Sequence, residues 1–361
     1  WAEKYGGTID DVFEMQERIS GKIVEELRAR LTDEEQADNI APVTDAQTYD
    51  KYLRAKHILG QSLLRLPEAE ALLEDVMERD PRFAPAYTAL GAPLLLCGMF
   101  NYIEPMAAWT RIQDLADRAL SVNPRSGPGH ELLAAVAAYR DLDWEEARRL
   151  YQRARELEPG AGFDRFLYAF FLSFSGDVPG ALAAAREGRR LDPLNVMGFL
   201  VESVMLAYSG DLDAALPLSR RPIELDPQFP EGYHISGYIL LGLQRYAKAA
   251  EVLEKAVELS NRAAWPMAKR GVALVGEGRR DEAEAILEEL ERRADEATMS
   301  FPAVATLYLA LGDHDQFYQW MNRGIDARDA FALALNREYL WDPARHEPEF
   351  QNLLRRAGLE P

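Results

Sequence analysis

The chain has 361 residues, 48% of them hydrophobic, and a formal charge of −19 from 60 acidic against 41 basic side chains. That length leaves two globular domains or one elongated array, and the apolar content excludes wholesale disorder. The acid excess argues against nonspecific nucleic-acid or anionic-membrane binding, which needs clustered cations; a basic partner stays open beside a solvated surface that keeps a long array soluble.

The lone Cys97 excludes an internal disulfide framework and a Cys-rich zinc site. No apolar stretch approaches the roughly 18 residues of a membrane span, "APLLLCGMF" from Ala92 being among the longest, and no signal peptide opens the chain. A first residue of Trp in place of Met reads as the continuation of a longer protein.

In chain order, Asp10 to Leu31 is predicted to form one helix. Ile9, Val12, Ile19, Ile23, Leu27 and Leu31 recur on one side, with Glu and Arg on much of the other. "TDEEQADNIAPVTDAQ" then reads as a linker.

Beyond the linker the chain becomes periodic. Pairs of an acidic residue or Asn with Pro stand at Asp80-Pro81, Asn123-Pro124, Glu158-Pro159, Asp192-Pro193 and Asp226-Pro227, with prolines 43, 35, 34 and 34 apart. Each pair is a natural helix stop, because proline lacks the helical N–H and disfavours helix in the residue before it. Midway through each unit a second break appears: "SGD" at 175–177 and 209–211, "GRRDEAE" at 278–284, "LGDHD" at 311–315. Glycine closes one helix in the left-handed conformation and Asp caps the next. Asp143 with Glu146, and Asp281 with Glu284, have capping-box spacing. Each unit is thus two helices joined by a tight turn.

A 34-residue helix–turn–helix period resembles the tetratricopeptide repeat. Units begin at Asp50, Ala84, Pro128, Gly162, Val196, Pro230, Ala264 and, more faintly, Thr298. The unit from Pro230 fits the motif best, with Tyr233, Gly237, Leu240, Ala249, Leu253 and Ala256 in register; in the third, Ala147 and Ala154 flank Tyr151. The second unit carries about nine extra residues around "FNYIEPMAAW", read as a longer loop or helix end. In the eighth, Phe317 replaces a small residue, as suits an end unit with no outer neighbour. The final stretch "WDPARHEPEFQNLLRRAGLEP" is predicted to supply one short helix covering the last repeat. The expected fold is all-α, a right-handed superhelical tetratricopeptide-repeat solenoid of about eight helix pairs with an N-terminal helix and a C-terminal capping helix. Its expected parts are 1–47 (leading segment), 48–331 (array) and 332–361 (cap).

The flanks add a second resemblance. "WAEKYGGTIDDVFEMQERISGKIVEELRARL" at the start, "TYDKYLRAKHILG" at 48–60 and "WDPARHEPEFQNLLRRAGL" at the end are similar to tetratricopeptide regions that follow a TolB-like domain in bacterial regulators. Such regulators carry an adenylate-cyclase, winged-helix or kinase output module elsewhere in the chain. The resemblance implies that "WAEKY" is the end of the TolB-like domain. It favours the bacterial cytoplasm, with the periplasmic side of a membrane-anchored regulator as the alternative.

Catalytic constellations are not legible. His57, His130, His234, His314 and His346 are scattered without metal-ligand spacing, and there is no phosphate loop or nucleophile elbow. Acidic pairs such as Asp141/Asp143 sit where a turn and a helix start want them, and Cys97 lies in an apolar run that favours packing. No enzyme activity, cofactor or metal is expected.

The first helix of each unit carries the functional expectation. One side of it packs on the partner helix, and in the tetratricopeptide family the other lines a concave groove. The groove positions here are apolar and aromatic: Tyr139, Phe163, Phe166, Phe170, Met197, His234, Tyr238 and Trp265 are the candidate peptide-binding residues. The Lys/Asn/Arg clamp by which some relatives hold a C-terminal carboxylate is not present. Packing between successive first helices is the competing reading for the same side chains. Aromatic anchors give large contact area with few rotors, about 1.5–3 kcal/mol for each ring buried. The expected function is therefore a peptide- or protein-binding scaffold. A self-association module and a small-molecule sensor with a closed central pocket are the alternatives.

Overall fold

A computed structural model describes residues 44–61, 65–158, 164–193, 195–296 and 298–359. The predicted leading helix Asp10–Leu31 and the "WAEKY" segment lie outside the described residues. Every regular element among the described residues is helical.

Among the described residues eight helix pairs follow one another: α1 (Ala46–Gln61) with α2 (Leu66–Arg79), α3 (Ala84–Met99) with α4 (Pro105–Val122), α5 (Gly127–Val136) with α6 (Trp144–Leu157), and α7 (Asp164–Phe174) with α8 (Val178–Leu191). Then come α9 (Val196–Tyr208) with α10 (Leu212–Leu225), α11 (Pro230–Gly242) with α12 (Tyr246–Leu259), α13 (Ala264–Gly276) with α14 (Arg280–Arg292), and α15 (Phe301–Ala310) with α16 (His314–Asp326). A π-helical turn, Ala137–Asp141, extends α5. Two 3-10 segments, Ala330–Asn336 and Tyr339–Ala344, lead to the final helix α17 (Pro348–Arg356).

The turn between the helices of a pair explains the repeated phrase. Leu142, Gly176, Gly210, Gln244, Gly278 and Gly312 recur every 34 residues and all have positive φ. The residue after each stands at the N-cap position of the second helix. Asp143, Asp177, Asp211 and Asp313 accept hydrogen bonds from the backbone N–H groups of Glu146, Gly180, Ala214 and Gln316 at 2.9–3.1 Å. At the other two turns Arg245 and Arg279 stand there without a side-chain cap. The capping box expected of Asp281 and Glu284 is accordingly corrected: Arg279 is the N-cap and Asp281 sits inside the first turn of α14.

First helices of successive pairs also touch one another, which makes them one continuous layer. A second 34-residue series permits close approach, both within a pair and between successive first helices. Ala135, Ala169, Ser203, Gly237, Gly271 and Ala305 are small and buried. A methyl group on Gly237 would stand 2.4 Å from Leu253 Cγ, and one on Gly271 2.7 Å from Leu307 Cδ1.

The C-terminal segment does more than cover an open end. It does meet the last pair, through Trp341, whose Nε1 donates to Thr306 Oγ1 at 2.8 Å and whose ring lies 6.2 Å from that of Phe317. The expectation that Phe317 is tolerated for want of a neighbour is therefore corrected: it is fully buried, beside Trp341. The segment then also reaches pairs far behind it. Arg328 Nε donates to Arg140 O at 2.6 Å, Arg337 Nε to Ser173 O at 3.0 Å, and Trp144 Nε1 to Ala357 O at 2.9 Å. Residues 328–359 thus bind the turn after α5, the start of α6 and the end of α7, and the solenoid closes on its own tail.

Candidate functional site

The extra residues of the second unit lengthen α3 and α4 and leave Phe100–Glu104 as a loop between them. That loop reaches across the groove. Asn101 Nδ2 donates to Asp329 Oδ2 at 3.2 Å, and Tyr102 OH bonds to Glu231 at the start of α11. From the other direction the C-terminal return lays Phe331 among Phe100, Phe174 and Trp265, with ring centroids 5.6, 6.4 and 5.8 Å away. Tyr339 stacks on Tyr238 at 4.6 Å and bonds to its carbonyl oxygen.

Between loop, return segment and the first helices of the middle pairs lies a cavity of about 340 Å³. That is within the range of roughly 300–1,000 Å³ that holds small organic ligands. Phe100, Phe170, Leu200, Val204, Trp265 and Phe331 give it apolar walls.

Its polar groups divide sharply. Each acid on the wall has an internal donor: Glu231 has Tyr102, Glu296 has Arg293, and Glu338 Oε1 accepts from Leu340 N at 3.1 Å. Several other wall groups have no partner among the described residues. Trp265 Nε1, His234 Nε2 and Asn101 Oδ1 are buried atoms without a hydrogen bond. Lys269 Nζ, in a side chain 5% exposed, makes neither a hydrogen bond nor an ion pair there. It lies instead over the rings of Tyr238 and Trp265, 3.9 and 4.8 Å from their centroids. Burial pulls the Lys269 ammonium down to about 8, with Glu338 opposing the shift. Burial, and then the Lys269 charge, holds His234 well below its ordinary value. Burial pushes both Glu231 and Glu338 up, Tyr102 and Lys269 respectively opposing it. Burial thus disfavours ionisation of Glu231 and Glu338, and Lys269 stands on the same walls without an ion pair among the described residues.

The sequence-predicted residues are partly gathered here. Phe170, His234, Tyr238 and Trp265 line the cavity. Tyr139 is buried away from it, stacked on Trp109 at 5.7 Å, and Phe166 is buried against Gly188. Met197 is half-buried on α9, and Phe163 lies outside the described residues. An open aromatic floor is not what these side chains form: Tyr139, Phe166, Phe170, Tyr238 and Trp265 are all buried, because their own neighbours and the returning tail cover them. Sequence reasoning missed Asn101, Tyr102, Lys269, Phe331 and Glu338. For the first two a signal existed, since they sit in the insertion that breaks the period. Cys97 is buried, and burial pushes its thiol up to about 11, as a packing role requires. Among the described residues no cluster of His, Cys, Asp or Glu is placed to hold a metal ion, and no helix is long and apolar enough to cross a membrane.

A tetratricopeptide-repeat family profile matches residues 230–262, the unit that fits the motif best by eye. Among curated proteins the chain is similar to "Putative adenylate cyclase 3" of Rhizobium meliloti (strain 1021), at 32% identity over 152 residues. That match spans 40% of this chain and 26% of the relative. Among solved structures the chain is similar to the APC/C hetero-tetramer Cut9–Hcn1, with a TM-score of 0.59 and 16% identity over 87% of this chain and 57% of that one. It is also similar to the human IFIT1 dimer with PPP-AAAA, with a TM-score of 0.53 and 13% identity over 77% and 72% of the two chains. The fold is the all-α tetratricopeptide-repeat solenoid.

Proposed function

We propose that the chain is a non-catalytic recognition scaffold that binds a peptide or protein segment in its concave groove, as the regulatory part of a larger bacterial signalling protein. One observation carries this reading: the groove already holds a peptide, the chain's own residues 328–341, by ring contacts and by arginine side chains that donate to backbone carbonyls. An outside segment uses the same recognition, either by displacing the tail or by lying along the half-buried edge near Met197, His234 and Ile235. The similarity to a putative adenylate cyclase supports a signalling context, and the TolB-like character of the N-terminal flank belongs to the same proposal.

The test is affinity purification of the full chain from its bacterium, with bound proteins identified by mass spectrometry. A protein retained by the wild type should be lost from a Met197→Glu, Ile235→Glu double variant whose melting temperature is unchanged. Retention by this variant together with unchanged capture by a Phe331→Ala, Tyr339→Ala tail variant, or no specific companion to the wild type, would sink the reading. The cavity favours a second reading, in which the same solenoid senses a small molecule.

A further inference from the structure

We propose that the cavity beneath the C-terminal return is a binding site for a small monocarboxylate with an apolar or aromatic body, its carboxylate seated on Lys269 and Trp265. This rests on the sensor reading of the cavity and gives that reading a ligand class.

Charge balance carries the argument. An ammonium taken out of water costs several kcal/mol unless an anion and hydrogen-bond acceptors replace the water. Lys269 has two aromatic faces to rest on, but no acceptor reaches Nζ among the described residues. Four residues earlier on α13, one turn away, Trp265 points an indole N–H, a donor with no acceptor role, at nothing. His234 Nε2 on the neighbouring α11 is equally unpartnered and serves as donor or acceptor according to its tautomer. Two obligate donors on one helix face, one of them charged, want a shared anionic acceptor, and a carboxylate has two oxygens to offer.

The remaining groups narrow the class. Of the cations on the described walls, Arg293 is paired with Glu296 and Lys269 alone makes no ion pair, so a single negative charge fits best. Phe100, Phe170, Leu200, Val204 and Phe331 ask for an apolar remainder. Asn101 Oδ1, an acceptor without a donor, accommodates one further hydroxyl or amine. Glu338 acts on the Lys269 charge from a distance, but no ion pair joins the two, so the ammonium has no contacting anion among the described residues. The two segments that break the repeat pattern both contribute walls, so a ligand there touches the insertion and the tail together.

The experiment is titration calorimetry of the full chain with 4-phenylbutyrate, octanoate and the uncharged 4-phenylbutyramide. At least one of the two acids should bind saturably at one site, and the amide should bind at least about tenfold more weakly than 4-phenylbutyrate, the scale of one lost charge-assisted hydrogen bond. Lys269→Met and Trp265→Phe should each weaken the acid by about tenfold; Lys269→Met, which removes the unpaired buried charge, should melt no lower than the free wild type, and Trp265→Phe guards against a folding defect in the first. No saturable binding of either acid up to about 10 mM, where affinity is too weak for recognition, overturns the proposal and leaves a water-filled cavity. Equal binding of acid and amide overturns it too, as does wild-type affinity in both variants. Protein capture through the Met197 edge is measured separately, so its failure and the failure of this site are distinguishable.

Discussion

Asp329 joins three parts of the chain through one carboxylate. It accepts from Asn101 Nδ2 in the insertion, from Ser300 Oγ at the head of α15 at 2.8 Å, and from its own segment at Phe331 N at 3.0 Å. These donors hold the ionised form, yet burial outweighs them and pushes the carboxyl up to about 6 from an ordinary 3.8. The folded state therefore keeps a proton that the unfolded state has released between about pH 4 and 6. Stability rises as pH falls through that window and is lost as pH rises through it. Asp329→Asn removes the titration but also replaces an acceptor with a donor facing Asn101, so the variant is less stable at every pH. Its melting temperature should fall further behind the wild type as the buffer is taken from about pH 7 to 5, because only the wild type gains from protonation. A gap that stays constant or narrows on acidification would show that Asp329 titrates as an ordinary surface acid.

The inter-helix turn is the element whose chemistry the sequence states most openly. Positive φ at every 34th residue asks for glycine, and four of the six positions have it. Gln244, exposed and at φ 54°, does not. A non-glycine residue there costs about 1–2 kcal/mol, part of which glycine returns as unfolded-chain entropy. Gln244→Gly should thus raise stability by roughly 0.5–1 kcal/mol in urea denaturation. At the next position Asp211→Ala should cost about 1 kcal/mol, and Arg245→Asp should gain a similar amount by supplying the missing cap. Gly237→Ala should be worse than Asp211→Ala, at about 1–3 kcal/mol, since its methyl would be forced into Leu253. If Gly237→Ala melts like the wild type, the register of α11 on α12 is wrong. The helix pairs were legible because turns, caps and small contact residues are local and repeat. Leu142 and Gln244 hide in that pattern, since only the backbone reveals that a non-glycine residue has taken the glycine conformation. Asp281 misleads for a related reason: a carboxylate two residues past the N-cap looks like a cap when the preceding helix end is not known to a residue.

At the scale of the molecule, the site was far less legible than the fold. The cavity is walled by Asn101 and Tyr102 from the second unit, Glu231 and Lys269 from the sixth and seventh, and Phe331 and Glu338 from the tail. Their meeting depends on the summed rotation of eight stacked pairs, a quantity that no single repeat encodes. What the sequence did show was where the period fails, at "FNYIEPMAAW" and after residue 331, and those two failures are the segments that meet over the groove. The tail is held there by rings, by bonds to free carbonyls and by the buried Leu333, Leu335 and Trp341, but it has no partner helix of its own, whereas each helix pair has its own hydrogen-bonded turns and packed small residues. It should therefore open before the array does. Phe331→Ala with Tyr339→Ala removes the ring that fills the space among Phe100, Phe174 and Trp265, together with the stack on Tyr238. Phe331 and Tyr339 are half-buried, so their combined loss should cost about 2–4 kcal/mol, less than two full core truncations. Hydrogen exchange should then show early deuteration of residues 330–344 while α9–α12 stay protected, and a partner that competes with the tail should bind the variant more tightly than the wild type. Uniform loss of protection along α9–α12 would mean that the tail belongs to the core of the solenoid and is no guest in its groove.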